Sequence, residues 1–436
     1  FKQKTAYEIA SCLVGSEMCI RDRSYLETRN RSHQLAHALR DSGIEVGDRI
    51  GTFMWNGSRH LEAYHACAGM GAVLHTLNIR LSDRDLEYII GHAQDKAIIV
   101  DADALPLLEQ LKGRMPSVER IIVATEDDFE GWDTGLPSPV DYEEFISGKS
   151  TDYDWPVLDE NSPLGLCYTS GTTGNPKGVE YEHRSQYLHT MAMCMTDSMG
   201  LSATDTVCGI VPMFHAMGWG IPWAALMLGC KQVLPHRFMD PARLLQLMVD
   251  EGVTLSAGVP TIWQGVKGLY EANPGAYDLS NLSRLTCGGS APPPSLIRWY
   301  SDKLGVEMIQ GWGMTETSPL ATLSRKVMKR SQLGLDEDQL FENVAKAGQL
   351  MPGLELDIFD ENFEKEKRPE KCECFDLMEE KPKLIESGID TECYVSVFNN
   401  RFCGLCRHWL CEQCSFRHRN ISVSYTHLTL PTSDLV

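Results

Sequence analysis

The sequence predicts an α/β fold of mainly parallel sheets flanked by helices. Three observations lead there. Short apolar runs alternate with stretches of helical spacing from residue 25 to beyond residue 300. Glycine-rich turns follow the ends of several apparent strands, and no internal repeat breaks the rhythm. A helix between two strands acts as a crossover, which makes the strands parallel, covers the sheet and leaves ligands at the strand ends.

Tyr25–Arg40 reads as the first helix, stopped by Gly43, and Arg49–Trp55 as a strand. Ser58–Ala68 is helical again. Ser82 caps a helix running to Ala93, because a serine hydroxyl accepts from the free amides of a first turn. Ala97–Val100 is a short buried strand. Glu126–Glu160, acidic and rich in Gly, Pro and Asp, reads as an irregular solvated link. Strands return near Val207, Gln232, Thr254 and Leu285, with helices at Asp240–Glu251 and Pro294–Leu304. Val211–Pro235 reads as a core helix followed by a strand, although His215, after a Pro-Met-Phe turn, and Trp219 fit that account poorly.

The stretch YTSGTTGNPKGV, Tyr168–Val179, carries the most chemistry. Its glycines, Gly171 and Gly174 among them, let amide groups turn toward an anion. Thr169, Ser170, Thr172 and Thr173 add hydroxyl donors, and Lys177 adds a mobile positive charge. These features predict a phosphate-holding loop rather than a plain surface loop. Counted from Gly171, Pro176 stands where the G-x-x-x-x-G-K-[ST] pattern has its second glycine, so this is a different device. A second cluster, QGWGMTE at Gln310–Glu316, follows the apolar run Val306–Ile309. Trp312, between Gly311 and Gly313, offers a flat face to a purine; Met314 follows. Thr315 then offers a hydroxyl, and Glu316 a carboxylate suited to magnesium bridging phosphates. A turn around a buried tryptophan is the plainer reading. A third piece, CGGSAPP at Cys287–Pro293, ends another strand in glycines.

In order and spacing these pieces resemble the adenylate-forming acyl-CoA synthetases, from about Ser24 to about Asn362. The resemblance implies the large N-terminal domain of that family. It implies that Thr169–Lys177 grips the phosphates of ATP. Gly288, Gly289, Ser290, Ala291 and Pro292 would line the adenine pocket and Trp312 would stack on the base. Thr315 would touch the α-phosphate or the acyl carboxylate, and Glu316 would hold Mg2+. Val211–Pro235 is similar to the fatty-acid branch, in which the residue matching His215 lies beside the acyl carboxylate and the residue matching Trp219 gates the acyl tunnel. The implied activity is that of a medium- or long-chain fatty acid–CoA ligase, with ATP, Mg2+ and coenzyme A. A homodimer is a further expectation. A fatty-acyl-AMP ligase is the nearest rival. After Gly348–Lys365 the family's ribose-binding aspartate, hinge and small C-terminal lysine domain are not found. The expectation is therefore a chain cut near the hinge.

Both ends read as translated sequencing-adapter DNA. Met18–Asp22 can be written ATG TGT ATA AGA GAC AG, whose reverse complement reads Val-Ser-Tyr-Thr-His, which is Val423–His427. The expected organisation is thus an adapter-like 1–23, an AMP-binding body 24–362, a cysteine-rich segment 363–422 and an adapter-like 423–436. Of 15 cysteines, seven lie between Cys372 and Cys414. Cys403, Cys406, Cys411 and Cys414, with His408 and His418, have zinc-like pairs, but four residues between the pairs leave little chain to fold round a metal. Out-of-frame DNA is the favoured account, and a zinc-binding interaction protein carrying a nucleotide-binding relic is the competing one. The six body cysteines read as reduced core thiols of a cytoplasmic protein. A net charge of −20 argues against nucleic acid and anionic membrane as partners, and no apolar run reaches a membrane span.

Overall fold

A computed structural model describes residues 11–15, 20–125, 135–169, 175–328, 330–355, 357–358, 393–397 and 421–424. The strands begin with β1 (Ser11–Gly15), β2 (Ile20–Ser24), β3 (Arg49–Phe53), β4 (Val73–Thr76) and β5 (Ala97–Asp101). Next come β6 (Arg120–Ala124), β7 (Pro139–Asp141), β8 (Pro163–Thr169), β9 (Lys177–Glu182) and β10 (Thr206–Gly209). They continue with β11 (Lys231–Leu234), β12 (Leu255–Gly258), β13 (Arg284–Cys287), β14 (Glu307–Gly313), β15 (Leu320–Ser324) and β16 (Gln349–Leu350). The last three, β17 (Asp357–Ile358), β18 (Cys393–Val397) and β19 (Ile421–Ser424), pair antiparallel with one another. The helices are α1 (Tyr25–Asp41), α2 (Ser58–Met70), α3 (Asp83–Ala93), α4 (Leu105–Glu109), α5 (Tyr142–Ile146) and α6 (His183–Cys194). After them come α7 (Ile221–Leu228), α8 (Pro241–Glu251), α9 (Pro260–Ala272), α10 (Pro294–Leu304) and α11 (Glu337–Val344).

The α/β expectation holds. A seven-stranded sheet runs β7-β6-β5-β3-β4-β8-β9, parallel except for the β8–β9 hairpin. A nine-stranded sheet runs β16-β15-β14-β13-β12-β10-β11-β1-β2, parallel from β14 to β1. The predicted helix starts are met by their capping chemistry: Ser82 accepts from Asp85 N, and Ser24 and Glu27 make a reciprocal capping box. Helices α6 and α9 have no counterpart in the sequence reading.

The link predicted for Glu126–Glu160 needs correction over its described part. It contains β7 and α5, with Asp141 capping the helix through Glu143 N and Glu144 N. Tyr142 is fully buried, and its hydroxyl donates to Glu62, a buried carboxylate that also pairs with Arg31 and Arg23. Local acidity hid an apolar face that this distant partner stabilises.

Helix α2 lies between the two sheets' elements, with Leu61, Ala63, Tyr64, Ala66 and Met70 fully buried. Its core cluster joins Ile50 and Ile99 of the first sheet to Leu234 of the second and to Met213 and Met217 in the segment after β10. Asn56 fastens the junction. Its amide nitrogen donates to Gly209 O (2.7 Å) and Val211 O (2.8 Å), and its oxygen accepts from Met213 N (2.8 Å). The Cys403–Cys414 cluster lies outside the described residues.

Candidate active site

In the nine-stranded sheet the chain runs from β10 to β11 on one side, then crosses to β12, β13 and β14 on the other. The order reverses at β10, and open parallel sheets bind ligands outside the strand ends at such a point. A cavity of about 80 Å³ lies there. The segment after β10 supplies His215 and Trp219; the end of β13 supplies Gly288 and Gly289; the end of β14 supplies Gly311, Trp312, Gly313, Met314 and Thr315.

The glycines on the strand ends fit close packing. A Cβ on Gly288 would lie 2.8 Å from Gly311 O and 3.0 Å from the Trp219 ring. One on Gly313 would lie 1.9 Å from Pro319 O, which no rotamer relieves. Trp219 belongs to a short left-handed stretch, Ala216–Gly220, in which Ala216, Met217 and Trp219 have φ of 43°, 52° and 56°. Left-handed backbone costs an L-residue about 1–2 kcal/mol, and such strain concentrates at functional sites. The expectation of one core helix over this region is corrected: α7 begins only at Ile221, because the left-handed turn intervenes.

The opposite wall is the turn from Thr315 to Leu320, which includes a cis Ser318–Pro319 peptide. Tyr181 Oη donates to Thr315 O (2.7 Å), Gln186 Nε2 donates to Ser318 O (3.2 Å), and Leu320 N donates to His189 Nε2 (3.2 Å). Burial lowers the His189 pKa to about 4, so the ring is neutral at pH 7. Burial, with lesser contributions from neighbours including Glu316, raises that of Tyr181. His215 is also held below the usual histidine range, first by lost hydration in the cleft and then by the charge of Arg80. A neutral imidazole at the cavity rim can accept or donate a hydrogen bond without repelling a cation.

The predicted residues fall into four groups. His215, Trp219, Gly288, Gly289, Gly311, Trp312, Gly313, Met314 and Thr315 share the cavity, and Glu316 follows in the turn, half-buried. Thr169 and Lys177 face each other across the β8–β9 hairpin, Lys177 exposed, while Ser170, Gly171, Thr172, Thr173 and Gly174 lie outside the described residues. Ser290, Ala291 and Pro292 continue past the cavity lining. Gln310 points elsewhere: with its amide oriented so that both carbonyls meet a donor, its nitrogen donates to Val344 O (2.9 Å) and Ala345 O (3.1 Å) at the end of α11. Among the described residues no group of three His, Cys, Asp or Glu side chains is arranged to hold a metal. A single carboxylate such as Glu316 fits magnesium, which takes one or two protein carboxylates and draws its other ligands from phosphates and water.

A family profile described as "AMP-binding enzyme" matches residues 4–371. The chain belongs to that family. It is 41% identical over 332 residues to a medium-chain-fatty-acid–CoA ligase of Ectopseudomonas oleovorans, covering 76% of this chain and 60% of that protein. To a long-chain-fatty-acid–CoA ligase of Thermus thermophilus it is 42% identical over 355 residues, covering 81% and 62%. A 3-methylmercaptopropionyl-CoA ligase of Ruegeria lacuscaerulensis is 42% identical over 340 residues, covering 77% and 61%. The chain thus spans about three fifths of the length of the curated relatives it matches. In fold it is similar to a long-chain-fatty-acid-CoA ligase from Archaeoglobus fulgidus, with a TM-score of 0.70 at 20% identity over 83% of this chain and 70% of that one. The inhibitor-bound N-terminal domain of FACL13 from Mycobacterium tuberculosis gives 0.69 at 20% identity over 86% and 90%.

Residues that sequence reading missed are those that hold this cavity in shape: Asn56 and Tyr64, which fix the backbone before His215, and Tyr181, Gln186 and His189. A polar side chain at a helical position that should be apolar, such as Gln186 or His189, was the available signal.

Proposed function

We propose that this chain carries the ATP- and acyl-binding site of a medium- or long-chain fatty acid–CoA ligase. The supporting observation is the convergence of His215 and Trp219 with Gly288, Gly289 and Gly311–Thr315 around one cavity at the strand-order reversal. In this reading the acyl carboxylate oxygen attacks the α-phosphorus of ATP, the bond to the β-phosphate oxygen breaks, and pyrophosphate leaves. The sulfur of coenzyme A then attacks the acyl carbon, AMP departs and the thiol proton goes to solvent. Neutral His215 meets the carboxylate, Thr315 meets the carboxylate or the α-phosphate, Trp312 stacks on adenine, and the hairpin loop from Thr169 to Lys177 binds the phosphates. Magnesium, when bound at Glu316, offsets the charge that the two anions bring together. A homodimer and a cytoplasmic location belong to the same proposal. The apolar side chains of Tyr187, Met191 and Met195, exposed on and beside α6, support the first. The free Cys67, Cys167, Cys194, Cys208, Cys230 and Cys287 support the second.

The test is binding of non-hydrolysable acyl-adenylate analogues bearing C4, C8, C12 and C16 chains, read by tryptophan fluorescence. At about 0.8 kcal/mol per buried methylene, C8 is expected to exceed C4 by roughly two-hundredfold. Preference for C4 or shorter would sink the fatty-acid assignment. It would favour the short thioether acid named for the Ruegeria relative.

A further inference from the structure

We propose that Tyr181, Gln186 and His189 are positioning residues for Thr315 and Glu316; this rests on the nucleotide-binding reading above. The turn that carries Thr315 and Glu316 joins β14 to β15, and one short stretch of chain grips it at three backbone groups. Tyr181 Oη takes Thr315 O, Gln186 Nε2 takes Ser318 O, and His189 Nε2 takes the amide of Leu320. Tyr181 sits at the end of β9, the strand that leaves the phosphate hairpin, so its phenol ties the two nucleotide-facing segments together. Gln186 and His189 stand three residues apart on α6 and so share a helix face.

The grip is polar where an apolar contact would hold the turn at less cost. Tyr181, Gln186 and His189 are all buried. Two of their polar atoms, Gln186 Oε1 and His189 Nδ1, have no hydrogen-bond partner among the described residues. Because His189 Nε2 accepts from Leu320, its proton must sit on Nδ1, and burial favours the neutral ring that this requires. Buried polar groups left short of partners lower stability, whereas directional bonds fix one register of the turn. The arrangement therefore serves placement of Thr315 and Glu316 more than cohesion of the core. Glu316 lies close enough to contribute to the raised pKa of the Tyr181 phenol.

The experiment uses the full chain and two probes, MgATP and adenosine, because adenosine carries no phosphate for Thr315 or Glu316 to meet. Tyr181→Phe and His189→Leu are each expected to weaken MgATP about tenfold while adenosine stays within about twofold. His189→Gln, whose amide oxygen can accept from the Leu320 amide, is expected to recover most of the loss. Equal weakening of both probes, or unchanged MgATP affinity in both variants, overturns the proposal. Should His189→Leu not fold, Tyr181→Phe, which keeps the buried ring, decides alone. Failure of the parent chain to bind either probe overturns the nucleotide reading and this proposal with it. Parent binding without the split overturns this proposal alone.

Discussion

The two walls of the cavity are held in opposite ways. The wall bearing Trp219 is a left-handed turn in which three non-glycine residues sit at positive φ, kept there by packing: Met217 against Gly165, and Trp219 against Gly288. The wall bearing Thr315 and Glu316 has one such residue, Ser318, and is bonded at three backbone groups by Tyr181, Gln186 and His189. Strained backbone persists only where its surroundings over-determine it, so the first wall depends on its packing partners, while directional bonds set the second. The Trp219 wall is held by shape and the Thr315 wall by direction.

Acid tests the second wall most severely. His189 of that wall, and His60 and His65 on α2, are held neutral, with pKa values lowered to about 4 by burial. Between there and the unfolded value of about 6.5 the unfolded chain binds more protons, so stability falls as pH drops through that window and is level above it. Each ring contributes a slope of about 1.4 kcal/mol per pH unit. Urea midpoints measured from pH 7 to 4.5 should show that slope, reduced by one ring in His189→Gln; an unchanged slope in that variant breaks the comparison. Next in size is Gly313→Ala, which drives a methyl into Pro319 O and should cost about 3 kcal/mol, with loss of MgATP binding. A urea midpoint equal to that of the parent chain would show that the turn can shift freely. The smallest effect is expected from Ala216→Gly, which removes the left-handed penalty and should stabilise by about 1 kcal/mol. A destabilised Ala216→Gly protein would mean that the Trp219 wall is not strained.

Much of this was legible in sequence because it is local. The strand–helix alternation, the Ser82 cap and the glycines ending β13 and β14 all announce themselves within a few residues. So does the clustering of QGWGMTE after an apolar run. What escaped depends on partners far along the chain. Tyr181 meets Thr315 across 134 positions, and Tyr142 meets Glu62 across 80. Nothing in Ala216-Met217 favours left-handed backbone, so only the surrounding core imposes it. Gln310 misled for a related reason: its neighbours line the cavity, yet its own partners, Val344 and Ala345 at the end of α11, lie far along the chain.

Asn56 gives the junction of the two sheets a further meaning. One amide, carried by the first sheet's connection into α2, satisfies Gly209, Val211 and Met213 of the second. Those three backbone groups of the second half find their side-chain partner only in the first. The two sheets are thus one inheritance unit: a recombination event between them must carry an asparagine at position 56 or leave three buried backbone groups without that partner.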